Sequence, residues 1–575
     1  MEKTVVAGAL LLFLVLLIRG RIKPVLLFAG LLGFYYVGGY LETQRFLGNF
    51  SNKSLMVLVL LLLVSVVMEK VHLVARFAPM VTRGGSYASA LLKLAGFTTV
   101  FSAFLNNTAV VAMLMGALKN QRNLAPSRLL LPLSYFAILG GTMTLVGTST
   151  NLIVNSFVVE AGLESLKMFD FFLVGAALAL SGSLLVAFLA PRVLPEISRE
   201  VSMQQEYFLE ARVDEGSPLH GRSILENGLR NLDNLFLAEL QRGEHLISPV
   251  APDTVIEAGD VLIFTGDIAH MESLKQFPGL SIHSDRKHTF KENLVEVVLS
   301  HDATLLGMSI KEADFRAKFD AAVVAMRRGD EKLSGKLGEK ILQAGDILVL
   351  AVGRDFYRRS NLKKNFYIVS GIETKNQLSV TEGRIALGSF ALVILLAATG
   401  VVPLLKGLLV LLGLFVVLKF TSFSELKRLF PFDLVLIIGS ALGIAHTLYT
   451  TGLASDIADG MLALFAGGGA FGAFVGVFLL TLVMTEFMTN NAAAALVFPI
   501  ALATSEALGV SPWPFIMAVA YGASGSFISP FGYQTNLMVY SVGGYTLKDF
   551  ARIGVPMSLC YVTVALTLIP WVFPF

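Results

Sequence analysis

The sequence predicts a polytopic α-helical membrane protein: an inverted repeat of about five plus five transmembrane helices with two re-entrant hairpins. Two small α+β cytoplasmic domains are inserted between its halves. Three observations predict this. Of the 575 residues, 55% are hydrophobic and only 15% charged, a balance outside the range of soluble chains of that length. The apolar residues fall in long runs, whereas residues from about 200 to 379 are dense in charge and hold apolar stretches only of strand length. Finally, two segments far apart read almost alike, TTVFSAFLNNTAVVAML at Thr98–Leu114 and TLVMTEFMTNNAAAAL at Thr481–Leu496. Each carries an Asn-Asn pair, Asn106-Asn107 and Asn490-Asn491, and each is followed by Thr-Asn-Leu, at Thr150-Asn151-Leu152 and Thr535-Asn536-Leu537.

Taken in order, Val5–Ile18 is the first apolar run. Only Lys3 precedes it and no Ala-x-Ala site follows, so it reads as a retained helix rather than a signal peptide. Val25–Leu41 and Leu55–Val67 come next, near the ~20 residues that cross a bilayer. Basic residues cluster at Arg19/Arg21/Lys23, Arg76/Arg83, Lys119/Arg122/Arg128 and Arg192/Arg199. Cytoplasmic placement of these stations sends the first helix inward, the second outward and the third back. The segment at about 87–118 then leaves and re-enters the same side, which requires a re-entrant hairpin with Asn106, Asn107 and Thr108 near its tip. Helices at about 129–159 and at Phe171–Ala190 complete a membrane half over 1–199.

The inserted domains occupy 200–285 and 286–375. The second membrane half, 376–575, is oriented by stations at Lys363/Lys364/Arg384, the first two just before it, and at Lys419/Lys427/Arg428 and Lys548/Arg552. The same count gives Ile385–Thr399, Leu408–Leu418 and Leu434–Tyr449 as spans, a hairpin at about 471–505 entering from the opposite face, and Ile553–Val572 as the last span. The pairs Asp170-Phe171 and Asp549-Phe550, each heading the last helix of its half, support the alignment.

Composition excludes several functions. A net charge of +3 argues against a nucleic-acid partner, and the single cysteine, Cys560, excludes an internal disulfide framework and a multi-cysteine metal site. No P-loop, nucleophile–base constellation or metal-ligand cluster is present, so neither an ATP-driven pump nor an enzyme with an organic cofactor is indicated.

Duplicated polar clusters inside apolar segments are the sign of a transporter built from internal repeats, whose substrate site lies at the midplane where the halves meet. Broken helices there expose N–H groups and the positive end of the dipole, which suit an anion. The opposing carbonyl ends suit a hard cation such as sodium. Ser102, Asn106, Asn107, Thr108, Thr148, Ser149 and Thr150, with Thr489, Asn490, Asn491, Gln534 and Thr535, add side-chain oxygens and amides. Gly140-Gly141, Gly147 and Gly532 permit the dihedrals of a break. No Lys or Arg lies within these clusters, so a bound anion needs a co-bound cation. Glu486, an acidic residue within an apolar segment, either ligates that cation or carries a coupling proton. His446 and Asp433 sit at the ends of one helix and read as interfacial.

At these clusters the chain resembles the divalent anion:sodium symporters of the ion transporter superfamily. Their Ser-Asn-Thr hairpin signatures correspond here to Asn106-Asn107-Thr108 and Asn490-Asn491-Ala492. Their helix breaks correspond to Gly147-Thr148-Ser149-Thr150-Asn151 and Gly532-Tyr533-Gln534-Thr535-Asn536. The resemblance implies a first sodium site on Ser102, Asn106, Asn107 and Gly147, and a second on Thr489, Asn491 and Gly532 with Glu486 in place of a neutral ligand. It implies a substrate site on Asn106, Asn107, Thr108, Thr148 and Ser149, with Asn490, Asn491, Gln534 and Thr535. It further implies elevator-type alternating access in the cell inner (plasma) membrane, with Val5–Val67 and Ile385–Tyr449 as scaffold and homodimer interface.

The insert resembles the C-terminal lobe of potassium-conductance regulators (TrkA-C type), twice over. Ala258-Gly259-Asp260 and Ala344-Gly345-Asp346 each precede an alternating strand. Such lobes pair and sometimes bind a small-molecule ligand, and the double insert occurs in relatives associated with sulfate uptake. The resulting expectation is an importer of an inorganic divalent oxyanion, sulfate, coupled to sodium. A sodium- or proton-coupled dicarboxylate carrier and a ligand-gated anion channel stand as alternatives.

Overall fold

A computed structural model describes residues 2–19, 22–71, 86–119, 124–197, 208–370, 378–464 and 468–575, apart from 230–231, 233–234, 244, 248–249, 267–273, 275, 284–293, 301–302, 330, 334–336, 354, 357–358 and 360. Among the basic stations, Arg21, Arg76, Arg83, Arg122 and Arg199 lie outside the described residues, as do the boundaries expected at 199–200, 285–286 and 375–376.

The first membrane segment begins with α1 (Glu2–Arg19), α2 (Pro24–Val37) and α3 (Lys53–Glu69). Proline at the first turn starts α2. Asn52 caps α3, its Oδ1 accepting from the N–H of Ser54 at 2.9 Å and of Leu55 at 3.3 Å. There follow α4 (Tyr87–Ser102), α5 (Asn107–Lys119), α6 (Pro126–Gly141), α7 (Ser149–Glu160) and α8 (Phe172–Val193). Breaks at 103–106 and 142–148 thus separate α4 from α5 and α6 from α7.

Beyond the insert the chain continues with α9 (Val380–Ala398), α10 (Leu404–Val417), α11 (Phe432–Thr450) and α12 (Leu453–Leu464). Then come α13 (Gly469–Phe487), α14 (Asn490–Leu508), α15 (Trp513–Ser524), α16 (Gln534–Gly543) and α17 (Leu547–Val572). The order helix, break, two helices, break, two helices therefore occurs on both sides of the insert. α4 packs on α6 as α13 packs on α15, and α8 packs against α17. The last helices even start alike. Asp170 accepts the N–H of Lys167 at 2.7 Å before α8, and Asp549 accepts that of Thr546 at 2.8 Å in the capping box of α17.

Among the described residues seven helices are long and apolar enough to cross a membrane, α8, α9, α11, α13, α14, α17 and the stretch Thr43–Met68 that takes in all but the last residue of α3. The arms around Asn490 are thus each of spanning length, whereas those around Asn107 are shorter, at 16 and 13 residues. Apolar side chains also cover the outside. On α8, Leu173, Leu180, Leu184 and Phe188 are exposed on one face while Val174, Leu178 and Val186 are buried on another. An exposed apolar band of this extent belongs against lipid.

The insert forms two antiparallel sheets. The first comprises β1 (Phe208–Val213), β2 (Leu235–Arg242), β3 (His245–Ile247), β4 (Val261–Gly266) and β5 (Leu280–His283), in the order β3-β2-β4-β1-β5. The second comprises β6 (Leu294–Leu299), β7 (Ala321–Arg328), β8 (Glu331–Leu333), β9 (Ile347–Val352) and β10 (Phe366–Ser370), in the same spatial order read from β8 to β10. Their turns are built identically. Asp260 takes Arg242 Nε and Nη2 at 2.9 and 2.8 Å, and Asp346 takes Arg328 Nε and Nη2 at 2.7 and 2.9 Å. These bidentate pairs are the strong form of a charge-assisted hydrogen bond. Burial nonetheless pushes the Asp346 carboxyl above its ordinary value, opposed by Arg328 and the Gln343 N–H.

Candidate functional site

The four breaks, two in each half, bring four helix N-termini together. Cap residues start each of the first pair. Asn106 Oδ1 accepts from Thr108 N at 2.9 Å ahead of α5, and Thr489 Oγ1 accepts from Ala492 N at 3.4 Å ahead of α14. Thr148 and Tyr533, both in extended backbone, occupy the cap positions of α7 and α16. Three contacts across the molecule then join the ends. Tyr533 donates to Asn107 at 2.7 Å, Thr108 Oγ1 donates to Gln534 Oε1 at 3.2 Å, and Ser149 Oγ donates to Asn491 Oδ1 at 2.9 Å. The Thr148 hydroxyl, 3.3 Å from that of Tyr533, completes the centre, and Asn490 is a further side-chain neighbour of the phenol. Each helix has more than two turns, so four positive dipole ends point at one place.

Carbonyl-rich corners flank this centre. The amide orientation of Asn107 that satisfies every neighbour directs Nδ2 to Ser102 Oγ at 2.6 Å and to Ala137 O and Gly147 O, each at 3.2 Å. Ser102 Oγ in turn donates to Ala137 O at 2.8 Å. In the second half the Thr485 hydroxyl lies 2.8 Å from both Asn490 Oδ1 and Ala523 O. Ser102 and Thr485 thus do the same thing: each links the end of the helix before the break to an asparagine after it and to a carbonyl of the next helix. Carbonyl and hydroxyl oxygens grouped this way, with the amide oxygen of Asn490 in the second corner and that of Asn107 in the first once its amide turns Oδ1 toward Ser102, are the donor set of a hard cation. A cavity of about 20 Å³ beside Asn106, Gly147 and Ser149 has room for a water-sized guest.

This geometry corrects one expectation. Asn490, not Asn491, is the counterpart of Asn107, and Thr489 is the counterpart of Asn106. The reason is capping: an Asn amide and a Thr hydroxyl do the same work at a helix N-cap, so chemistry aligns Asn106-Asn107-Thr108 with Thr489-Asn490-Asn491 although the letters favour a shift of one. Two residues of the site lie outside the set expected from sequence. Thr485 stands four residues before its cap, as Ser102 does, and Tyr533 offers a hydroxyl at the position where the first break has Thr148.

The remaining expected residues are placed as follows. Glu486, at the position of Ala103 in the first half, is set against the backbone N–H groups of Phe527 and Ile528 and the side chains of Ser526 and Ser529. Gly147 and Gly532 lie where the chain passes close to its neighbours: an added Cβ would lie 2.5 Å from Gly141 O at Gly147 and 2.2 Å from Ser526 Oγ at Gly532. Thr535 is fully buried, its Oγ1 2.9 Å from Ser134 Oγ on α6, so it faces the packing of α16 rather than the centre. Thr489 is solvent-facing beyond its cap.

Known proteins resemble this chain over most of its length. A model of the citrate transporter family matches residues 5–522 and 462–575. The chain is 30% identical, over 90% of its length and 93% of the relative's, to a putative sulfur deprivation response regulator of Chlamydomonas reinhardtii. It is 28% identical to an uncharacterized transporter of Synechocystis, over 91% of this chain and 89% of that one. Probable sodium/sulfate cotransporter 3 of Chlamydomonas reinhardtii is 29% identical over 63% of this chain, which spans 42% of that longer protein.

Proposed function

We propose that this chain, which belongs to the citrate transporter family, imports sulfate together with sodium across the inner (plasma) membrane. One observation carries the reading: four helix N-termini meet around Asn107, Tyr533, Gln534 and Asn491, with neutral donors and no basic side chain among them. An anion held this way gains from dipole ends and N–H donors but lacks a countercharge. Cations in the corners at Ser102–Asn107 and Thr485–Asn490 would supply it. Binding of one ion then favours the other, which is the thermodynamic basis of coupling. Likeness to a protein named as a sodium/sulfate cotransporter supports sulfate over dicarboxylates.

The two halves are read as an inverted repeat whose paired helices around each break move as a unit against α1–α3 and α9–α11, in a homodimer. The two sheets are read as TrkA-C-like cytoplasmic domains. In proteoliposomes, labelled sulfate should accumulate under an inward sodium gradient and not without one. Sodium-driven accumulation of succinate or citrate with no sulfate uptake would overturn the substrate, and uptake indifferent to sodium would overturn the coupling.

Glu486 is read as a ligand of the second cation. Loss of one charged ligand costs about 1.4 kcal/mol or more, so Glu486→Gln should raise the half-saturating sodium concentration about tenfold. Its sulfate uptake should keep the native response to pH. Unchanged sodium dependence with the pH response abolished would make Glu486 a proton carrier instead.

A further inference from the structure

We propose that the second sheet is part of the transport site: Tyr367, on β10, is a positioning residue that holds the amide of Gln534, and the seating of this sheet on α16 sets the affinity for the anion. The inference rests on the site proposed above. Gln534 Nε2 donates to the Tyr367 hydroxyl, and the Oε1 of the same amide accepts from Thr108 on α5 at 3.2 Å. Ser300 Oγ donates to the same phenol at 3.3 Å. A continuous line of side chains therefore runs from the sheet through Gln534 to the tip of the first half. With its Nε2 held by Tyr367, the Gln534 amide has a fixed direction at the start of α16.

The contact does not stand alone. Ser541 on α16 donates to Gly345 O at 2.5 Å, and an added Cβ at Gly345 would lie 2.7 Å from Leu537. At Gly329 it would lie 2.8 Å from the Tyr540 hydroxyl. Val298, Ile347 and Tyr367 pack into the same apolar cluster as the membrane helices.

The first sheet is the internal control. Its corresponding positions lie 86 residues earlier, and there the surface is different. Gly243 and Gly259, with the same positive φ, have nothing within 4 Å of an added Cβ. Arg212 pairs with Ser281 across β1 and β5 where Val298 pairs with Tyr367 across β6 and β10, and Arg212 is exposed. Two sheets with one topology and one set of turns thus differ at the face that meets α16. The apolar and phenolic residues are there because of the docking and not because of the sheet fold.

The test uses the full chain in proteoliposomes, with whichever of sulfate, succinate and citrate the native protein accumulates. Tyr367→Phe should raise KM at least about threefold, the loss of one net hydrogen bond, with Vmax within twofold. In a Gln534→Met background the same substitution should add nothing, because the phenol acts through that amide. Val298→Arg with Tyr367→Ser writes the first sheet's residues into the second, at positions where that fold accepts them. It should raise KM further and speed amide hydrogen exchange of Gln534–Gly543. An unchanged KM in Tyr367→Phe, or an effect that persists undiminished without Gln534, overturns the proposal. Unchanged exchange in the double variant overturns the docking. Absence of sulfate uptake by the native chain bears on the substrate alone.

Discussion

Asn107→Ala should abolish sodium-driven uptake, by at least about a hundredfold, while the protein remains inserted and folded. The side-chain amide satisfies Ser102, Ala137 O, Gly147 O and the Tyr533 hydroxyl together. Its removal costs roughly 1 kcal/mol for each of three or more partners left unmet, and 1.4 kcal/mol is a factor of ten. Those partners are the oxygen set proposed for the cation and the phenol at the centre of the anion site, so both ligands are lost at once. Asn107→Asp tests the same place without changing shape: a carboxylate cannot donate to Ala137 O or Gly147 O, and its charge would repel the anion. Asn490→Ala should match Asn107→Ala, and Asn491→Ala should be milder, about tenfold in KM, because Asn491 stands opposite Ser149 as Thr108 stands opposite Gln534. Radiolabelled uptake by the four variants decides it. An Asn491→Ala variant that is dead beside an active Asn490→Ala would restore the other register.

That register shows what the sequence could and could not convey. The duplication, the polar tips, the two glycine-bearing breaks and the charged insert were all legible, because each is a local departure from an apolar background. The pairing of Asn107 with Asn490 was not. An Asn-Asn pair in both copies invites the wrong overlay, and only the cap positions of Asn106 and Thr489 resolve it. Thr485 carries no signal in the sequence since a hydroxyl inside an apolar helix usually bonds its own turn; its role depends on Ala523 O, which arrives from a different helix. Tyr533 is hidden because a tyrosine stands where the first break has Thr148, a change in size that masks the shared hydroxyl. The docking of β10 on α16 was invisible for a different reason. Val298, Ile347 and Tyr367 fit an ordinary alternating strand, and only the exposed residues at the same positions of the first sheet mark them as an interface.

The other large effect is expected at the two glycines of the breaks, and the two should respond differently to repair. At Gly147 a methyl group would lie 2.5 Å from Gly141 O and 3.0 Å from Ala103 O. Both obstacles are backbone, one from each of the segments that must approach to form the corner around Asn107. At Gly532 the nearest obstacle is a side chain, Ser526 Oγ at 2.2 Å, and behind it stand Thr485 O at 3.1 Å and Glu486 Oε2 at 3.2 Å. Overpacking of this kind costs about 1–3 kcal/mol, so Gly147→Ala and Gly532→Ala should each lose about ten- to hundredfold of sodium-driven uptake. Deleting the obstructing side chain separates them. Ser526→Gly added to Gly532→Ala leaves only contacts above 3 Å, which small shifts absorb, and uptake should recover at least severalfold. No side-chain deletion relieves Gly147→Ala, because carbonyl groups cannot be removed. A Gly147→Ala protein with native uptake would mean that the chain does not pass this closely while it works, and the corner at Asn107 could then not be the cation site.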